Sequence, residues 1–174
     1  MPDLLKSHIP KQLNNPVTIA QVYEWLEEVK DPEIPVLSLV DLGVISQIDL
    51  HGLDASVVLT PTFVGCPALD MMKSDITEVL KKHGMKSIDI QVSYQHPWTS
   101  DRISEKGKVA LKKFGLAPPP NATLFTDINV LEHAACPRCN GTNTDLKNAF
   151  GPTLCRSIHY CNDCREAFEQ FKPL

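Results

Sequence analysis

Residues 136–164 contain Cys136-Pro-Arg-Cys139, then 21 residues, then Cys161-Asn-Asp-Cys164, and this stretch decides the fold of the C-terminal part of the chain. Two Cys-x-x-Cys knuckles at about this spacing can bring four thiolates to one metal ion. A segment of about 40 residues with few large apolar side chains buries too little surface to fold alone, so a metal would supply the missing stability. The pattern predicts a zinc ribbon in which these four cysteines hold a structural zinc ion, with two disulfide bonds as the alternative.

The sequence has the features of a soluble protein of the reducing cytoplasm. The chain has 174 residues, six cysteines and a net charge of −4. It has no basic N-terminal region followed by an apolar run, and no apolar stretch approaches the roughly 20 residues that span a bilayer. We therefore expect a soluble, cytoplasmic protein that binds neither membranes nor DNA. Cysteines in that compartment are more often ligands or reactive thiols than disulfides, which disfavours the disulfide alternative.

The sequence before the ribbon predicts alternating helices and strands. Residues with helical spacing, capping signals and strand-like alternation give the order helix, strand, strand, helix, strand, helix. This order predicts an α+β fold, a small domain of helices packed against a mixed sheet. The predicted segments are 18–31, 44–50, 55–59, 67–83, 87–94 and 103–114.

Four parts of the chain follow from these patterns. They are a flexible lead-in (1–17), the α+β domain (18–115), a proline-rich linker (116–132) and the ribbon (133–174). Three consecutive prolines, Pro118–Pro120, favour an extended and semi-rigid spacer. We therefore expect the linker to hold the ribbon at a distance from the domain.

Cys66 is the candidate functional thiol of the α+β domain. It lies in Thr60-Pro-Thr-Phe-Val-Gly-Cys66-Pro67, where a strand is expected to end and a helix to begin at Pro67. A cysteine at a helix N-terminus has its thiolate stabilised and its pKa lowered. Two interpretations stay open here: a reactive or metal-binding thiol, or a small side chain that packs the turn. Thr60 and Thr62 either add hydroxyl groups beside Cys66 or serve as β-branched strand residues.

Asp31 and Glu33 are the candidate supporting carboxylates. They lie in Asp31-Pro-Glu33-Ile-Pro35, where prolines fix the backbone and so the direction of each carboxylate. Such a pattern suits metal coordination, but it favours a capped helix end with an Asx turn.

Cys155 and His159 fall outside the predicted zinc site. If residues 155–161 are extended, Cys155 and Cys161 lie about 20 Å apart and cannot bind one ion. Four thiolates already complete a tetrahedron, so His159 is expected to be structural.

Two motifs carry a family resemblance. Residues 31–45 (DPEIPVLSLVDLGVI) and 60–68 (TPTFVGCPA) resemble the hallmarks of the metal–sulfur cluster assembly family, and this likeness spans residues 18–115. The chain as a whole is similar to the PaaD (PaaJ) family of bacterial phenylacetate degradation. Further segments that support this likeness are 97–101 (PWTSD), 115–119 (GLAPP), the ribbon and 168–172 (FEQFK). Arg102, where the family often has an aromatic residue, and Arg165, where many ribbons have glycine, depart from the pattern.

The resemblance implies an accessory role without catalysis. On this resemblance, the chain would assist phenylacetyl-CoA epoxidase, a di-iron oxygenase supplied by an iron–sulfur flavin reductase, by inserting iron or an iron–sulfur cluster into the oxygenase or reductase. The resemblance also implies that Cys66 is the functional thiol, that Asp31 and Glu33 lie near Cys66, and that the knuckle cysteines bind metal. The oxygenase and reductase subunits would be partners, iron or a cluster a transient cargo, and a homodimer is compatible with it. The alternative function is a rubredoxin-like electron-transfer component; a ribbon that binds nucleic acid is disfavoured by the net charge.

Overall fold

The computed structural model describes residues 16–120 and 134–173. Its N-terminal part has the predicted order of helices and strands, with two short additional helices, α2 and a 3-10 helix at Ser100–Arg102. The α+β fold class is therefore confirmed. The elements are α1 (Ile19–Leu26), α2 (Leu39–Leu42), β1 (Ile45–His51), β2 (Asp54–Leu59), α3 (Leu69–Lys82), β3 (Ser87–Val92) and α4 (Glu105–Phe114), followed by β4 (Leu116–Ala117), β5 (Thr144–Asn148), β6 (Arg156–Cys161) and β7 (Ala167–Phe171).

A capping box starts α1, as the sequence predicts. The Thr18 hydroxyl accepts a hydrogen bond from the Gln21 amide at 3.3 Å, and the Gln21 side chain accepts one from the Thr18 amide at 3.0 Å. The helix ends at Leu26, earlier than predicted. Val29 is still buried in the core, and its carbonyl accepts a hydrogen bond from the Leu39 amide at 3.0 Å.

The first sheet has three strands in the order β1-β2-β3. β1 pairs with β2 antiparallel, and β2 pairs with β3 parallel. A bulge in β1 between Ile45 and Gln47 lets Ile45 and Ile48 both face the core, although strict alternation would separate them. The helices bury apolar stripes in the same core, such as Met72, Ile76 and Leu80 of α3.

A tight approach of two turns fixes the chain after α2. Gly43 has φ of 71°, in the left-handed region that favours glycine. A Cβ atom at this position would lie 2.5 Å from the carbonyl oxygen of Arg102. The Trp98 ring nitrogen donates to the Leu42 carbonyl at 3.0 Å on the same side. These contacts place the end of α2 against residues 98–102.

The second sheet joins the ribbon to the domain, so the prediction of a ribbon held at a distance is wrong. Its order is β4-β7-β6-β5, with β4 parallel to β7. β4 begins two residues after α4 ends and lies inside the predicted linker, before the prolines. Phe171 of β7 is 1% exposed and belongs to the core of the N-terminal part, where its ring lies 5.7 Å from that of Trp98. The ribbon is therefore packed against the domain.

Two of the expected parts fall largely outside the described residues. Residues 1–15 and 121–133, most of the predicted lead-in and linker, lie there, and the four-part division of the chain stays a prediction. None of the helices in the described part of the chain combines the length and apolar character needed to cross a membrane.

Candidate functional site

The four knuckle cysteines converge at one end of the second sheet. Their sulfur atoms all lie within 4.8 Å of one another, with Cys136 to Cys164 at 3.7 Å and Cys139 to Cys161 at 3.5 Å. A tetrahedral ion with metal–sulfur bonds of about 2.3 Å separates its sulfur ligands by about 3.8 Å. The arrangement therefore fits one four-coordinate metal ion, and this is a four-cysteine metal-binding site.

The backbone of each knuckle takes the same unusual turn. Asn140 follows Cys139 with φ of 62°, and Arg165 follows Cys164 with φ of 61°. Both lie in the left-handed region, which explains why glycine is common in such positions and shows that Arg165 adopts the same turn. The Gly141 amide donates to the Cys139 sulfur at 3.3 Å.

The thiols of this centre ionise unequally. Burial raises the pKa of Cys136, but the amides of Cys139 and Arg138 outweigh it and lower that pKa to about 7. Burial and the neighbouring sulfurs raise the pKa of Cys164 to about 12. Cys136 therefore ionises more readily than Cys164, and a cation among the sulfurs would favour the thiolate form of Cys164. This is the behaviour of a metal-binding donor set.

Cys155 and His159 lie outside this centre, as the sequence indicates. The strand β6 that separates Cys155 from Cys161 is extended. His159 is fully buried, hydrogen-bonds the Ser157 hydroxyl at 2.9 Å and stacks on Phe168 at 5.4 Å. Burial lowers its pKa, which suits a neutral structural side chain.

The second candidate site surrounds Cys66. A cavity of about 290 Å³ lies between the N-terminal part and the ribbon loop that precedes β6. Three of the predicted residues, Asp31, Glu33 and Thr62, line it together with Cys66. Thr60 is buried but does not line the cavity; its amide donates to the Val44 carbonyl at 2.8 Å, which joins two strands.

The expected low pKa of Cys66 is wrong. Helix α3 begins at Leu69 with Ala68 as its N-cap, so Cys66 lies two residues before the cap. Burial raises the pKa of the Cys66 thiol, and the nearby acidic group of Asp31 raises it further, although the Ala68 amide lowers it. The thiol is therefore neutral at neutral pH, and a bound metal would have to displace its proton.

Asp31 forms the Asx turn that its sequence favours. Its Oδ1 atom accepts hydrogen bonds from the amides of Glu33 at 2.9 Å and Ile34 at 2.8 Å. The residue is 7% exposed, and burial raises the pKa of its carboxyl although these two amides lower it. The turn forms part of the wall of the cavity that contains Cys66.

Asp41 shares the sequence motif of Asp31 but not its site. Its carboxylate accepts from the hydroxyls of Ser38 at 2.9 Å and Ser104 at 2.6 Å and pairs with Lys106 at 3.0 Å. It fastens α2 to the start of α4.

Sequence reasoning missed two residues of this region. Cys155 lines the same cavity as Cys66, and the Arg156 guanidinium donates to the Glu33 carbonyl at 2.6 Å. Both come from the ribbon, more than 120 residues after Asp31. No local pattern joins residues so distant, because their meeting depends on how the two parts pack.

Comparison with known proteins agrees with this two-part organisation. Residues 19–92 match the family described as an iron–sulfur cluster assembly protein, and residues 121–172 match the family described as the PaaD zinc beta ribbon domain. A crystal structure of a domain of unknown function from Bacillus anthracis shares 30% identity at a TM-score of 0.50, covering 53% of this chain and 89% of its own.

Two curated relatives cover different lengths of the chain. A protein of Escherichia coli (strain K12), named as a putative subunit of 1,2-phenylacetyl-CoA epoxidase, is 30% identical over 90% of this chain and 94% of its own length. An "Fe-S protein maturation auxiliary factor" of Porphyromonas gingivalis is 34% identical over 54% of this chain and 90% of its own.

Fold and site define the class: an iron–sulfur cluster assembly domain joined to a four-cysteine β-ribbon. The likeness to the Escherichia coli protein extends through both units. The chain belongs to the PaaD family.

Proposed function

We propose that this chain is a maturation factor for phenylacetyl-CoA epoxidase. In this proposal the chain uses Cys66 to deliver iron or an iron–sulfur cluster to the oxygenase or reductase subunits of the epoxidase. One relative is named as a putative subunit of that epoxidase, and others are named as Fe-S protein maturation auxiliary factors. The chain acts on its clients and not on phenylacetyl-CoA itself.

The observation that carries the proposal is the placement of Cys66. A thiol and the carboxyl-bearing residues Asp31 and Glu33 line one cavity in the unit that matches the iron–sulfur cluster assembly family. Thiolates bind iron and iron–sulfur clusters, and carboxylates also bind iron. A neutral thiol that gives up its proton when metal arrives suits temporary holding better than permanent binding.

The ribbon centre has a separate, structural task in this proposal. Zinc is its metal, because four thiolates that leave no open position are typical of structural zinc sites. Elemental analysis of the purified protein should find one zinc ion per chain. Stoichiometric iron with visible thiolate-to-iron absorption would instead support a rubredoxin-like electron-transfer component.

Replacement of the thiol by a hydroxyl tests the proposed role of Cys66. We expect Cys66→Ser to abolish growth on phenylacetate, since serine keeps the size of the side chain but cannot supply a thiolate. Its melting temperature should stay close to that of the wild type. Val64→Ala is the matched control, because this 74% exposed neighbour lies in the same loop without a thiol. Normal growth of the Cys66→Ser strain would refute the functional thiol.

A further inference from the structure

The cavity at Cys66 has a second thiol, and it comes from the ribbon. Cys155 lies in the loop before β6, lines the same cavity and packs against the core of the N-terminal part. The two sulfur atoms belong to residues 89 positions apart in sequence (155 − 66), and both are free thiols of intermediate exposure. A site built from both units is complete only when the ribbon is docked.

Hydrogen bonds on both sides of Cys155 hold it in place. The Lys172 amide donates to the Cys155 carbonyl at 2.8 Å, and the Gly151 amide donates to the Arg156 carbonyl at 2.8 Å. The Arg156 side chain, 8% exposed, donates to the Glu33 carbonyl at 2.6 Å and to the Glu169 carboxylate at 3.0 Å. The ribbon loop is thereby joined directly to the Asp31–Ile34 turn, which also lines the cavity.

The cavity wall combines soft and hard donors with an apolar floor. Cys66 and Cys155 supply sulfur, and Asp31 and Glu33 supply oxygen. The apolar side chains that complete the wall include those of Leu42, Met72 and Phe171. Soft thiolates together with carboxylates suit a divalent iron ion, whereas a site for magnesium or calcium would use oxygen alone.

We propose that Cys155 is the second thiol of the cargo site and that it binds an iron ion together with Cys66, at the junction of the two units. This inference rests on the proposed function of Cys66. Binding breaks two S–H bonds, forms two metal–sulfur bonds and releases two protons to solvent, with no change in oxidation state.

The site is open before the metal arrives, in contrast to the ribbon centre. In the described part of the chain, the four ribbon cysteines are the group whose ligand atoms already lie within 4.8 Å of one another. Cys66, Cys155 and the carboxylates must close around an ion, which costs binding energy. A weaker and reversible site suits a cargo that has to be passed on.

Cobalt binding tests the two-thiol site. The probe is Co²⁺, added under anaerobic conditions to the full-length protein whose ribbon already holds one zinc ion. Cobalt binds four-thiolate sites more weakly than zinc does, so it does not displace the ribbon zinc. We expect thiolate-to-cobalt absorption and two protons released per ion. Cys66→Ser and Cys155→Ser should each halve the absorption, release one proton and weaken cobalt binding, because one of the two sulfur ligands is lost. The double variant should show no thiolate absorption.

Cross-linking of the wild-type protein tests the proximity of the two thiols without any substitution, so its result does not depend on whether a variant folds. Dibromobimane, a short reagent that joins two nearby thiols, should link Cys66 to Cys155 in peptide maps, and bound cobalt should prevent this. Val64→Ala is the matched control and should keep the cross-link, since this 74% exposed residue lies in the Cys66 loop but does not line the cavity.

The outcomes separate this inference from the proposed function. Wild-type absorption in Cys155→Ser, an absence of cobalt binding by the wild type, or no link between the two cysteines would overturn the two-thiol site. If Cys66→Ser blocks growth on phenylacetate while Cys155→Ser grows and binds cobalt normally, the maturation role stands and the second thiol is refuted. Normal growth of Cys66→Ser refutes the functional role of the Cys66 thiol instead.

Discussion

The side chain of Asp31 both forms an Asx turn and lines the cavity at Cys66. Its Oδ1 atom holds the amides of Glu33 and Ile34, while its carboxyl lines the cavity that contains Cys66. The sequence could predict the Asx turn, because an aspartate before proline folds back on the next amides whatever lies around it. It could not predict the cavity, which needs the ribbon as its other wall.

Substitution of Asp31 should separate these two tasks. Burial raises the folded-state pKa of this carboxyl, so its ionisation opposes folding: stability is highest when it is protonated and is lost as pH rises from about 4, the usual value, through the raised value. Asp31→Asn keeps the oxygen acceptor without the charge. Its melting temperature at pH 7 should equal or exceed that of the wild type, and the difference should shrink toward pH 3.

Asp31→Ala is the companion variant. It removes the Oδ1 acceptor of the Glu33 amide and leaves the Ile34 amide only the Asp31 carbonyl at 3.2 Å, and it should cost about 1 kcal/mol in the free energy of unfolding. If the melting temperature of Asp31→Asn at pH 7 is as low as that of Asp31→Ala, the carboxylate charge stabilises the fold, which would contradict the prediction. Growth on phenylacetate that fails in the stable Asn variant would identify the charge as part of the cargo site.

The pKa of Cys66 was predicted wrongly because a helix start was misplaced by two residues. Pro67 is typical of a first helical position, but α3 begins at Leu69. The helix effect on a charge fades within one turn, and the burial of the thiol, which only the packed structure reveals, outweighs it.

At the scale of elements, Arg156 is the contact that joins the ribbon loop to the domain. Arg156→Met keeps the apolar length of the side chain but leaves the Glu33 carbonyl and the Glu169 carboxylate without this donor. We expect a loss on the order of 2 kcal/mol in the free energy of unfolding, measured by denaturant titration.

Arg138 provides the matched control for that substitution. It is 61% exposed and lies 4.0 Å from Glu166, so Arg138→Met should change the free energy of unfolding by less than about 1 kcal/mol. Equal effects of the two substitutions would mean that the Arg156 contact does not hold the units together.

Elements with local signals were predictable and those made by distant pairing were not. The capping box of α1, the hairpin of β1 and β2, and the end of α4 at Gly115 follow from nearby residues. Strand β4 has only two residues, and it is a strand because Leu116 meets Glu169 of β7. The four-residue helix α2 depends on its Ser38 cap and is too short to show a helical period.

The whole molecule should respond as two linked units when the ribbon metal is removed. A Trp25→Phe background leaves Trp98, 5% exposed and packed near Phe171, as the only tryptophan. Chelation of the metal should unfold the ribbon, withdraw Phe171 and shift the Trp98 emission to longer wavelength. Most helical circular dichroism should remain, because α1 and α3 pack on the first sheet and α4 packs on α2.

Cys136→Ser should reproduce the effect of the chelator without added reagent. Its melting temperature should fall below that of the wild type, since the ribbon strand β7 contributes Phe171 to the shared core. An unchanged Trp98 spectrum after complete loss of the metal would contradict the coupling of the two units.

The purified chain should have no oxygenase or reductase activity toward phenylacetyl-CoA. The sequence contains neither a Glu-x-x-His pair of the di-iron type nor a dinucleotide-binding fingerprint. Turnover of phenylacetyl-CoA by the isolated, metal-loaded chain would contradict an accessory role.

The most direct test of the maturation role is the iron content of the epoxidase subunits made with and without this chain. Oxygenase and reductase purified from cells that lack it should be present but under-loaded with iron and weakly active, because no other protein would deliver the metal. Co-production of the wild-type chain should restore iron and activity, and co-production of Cys66→Ser should not. Fully metallated and active subunits made in its absence would contradict the account.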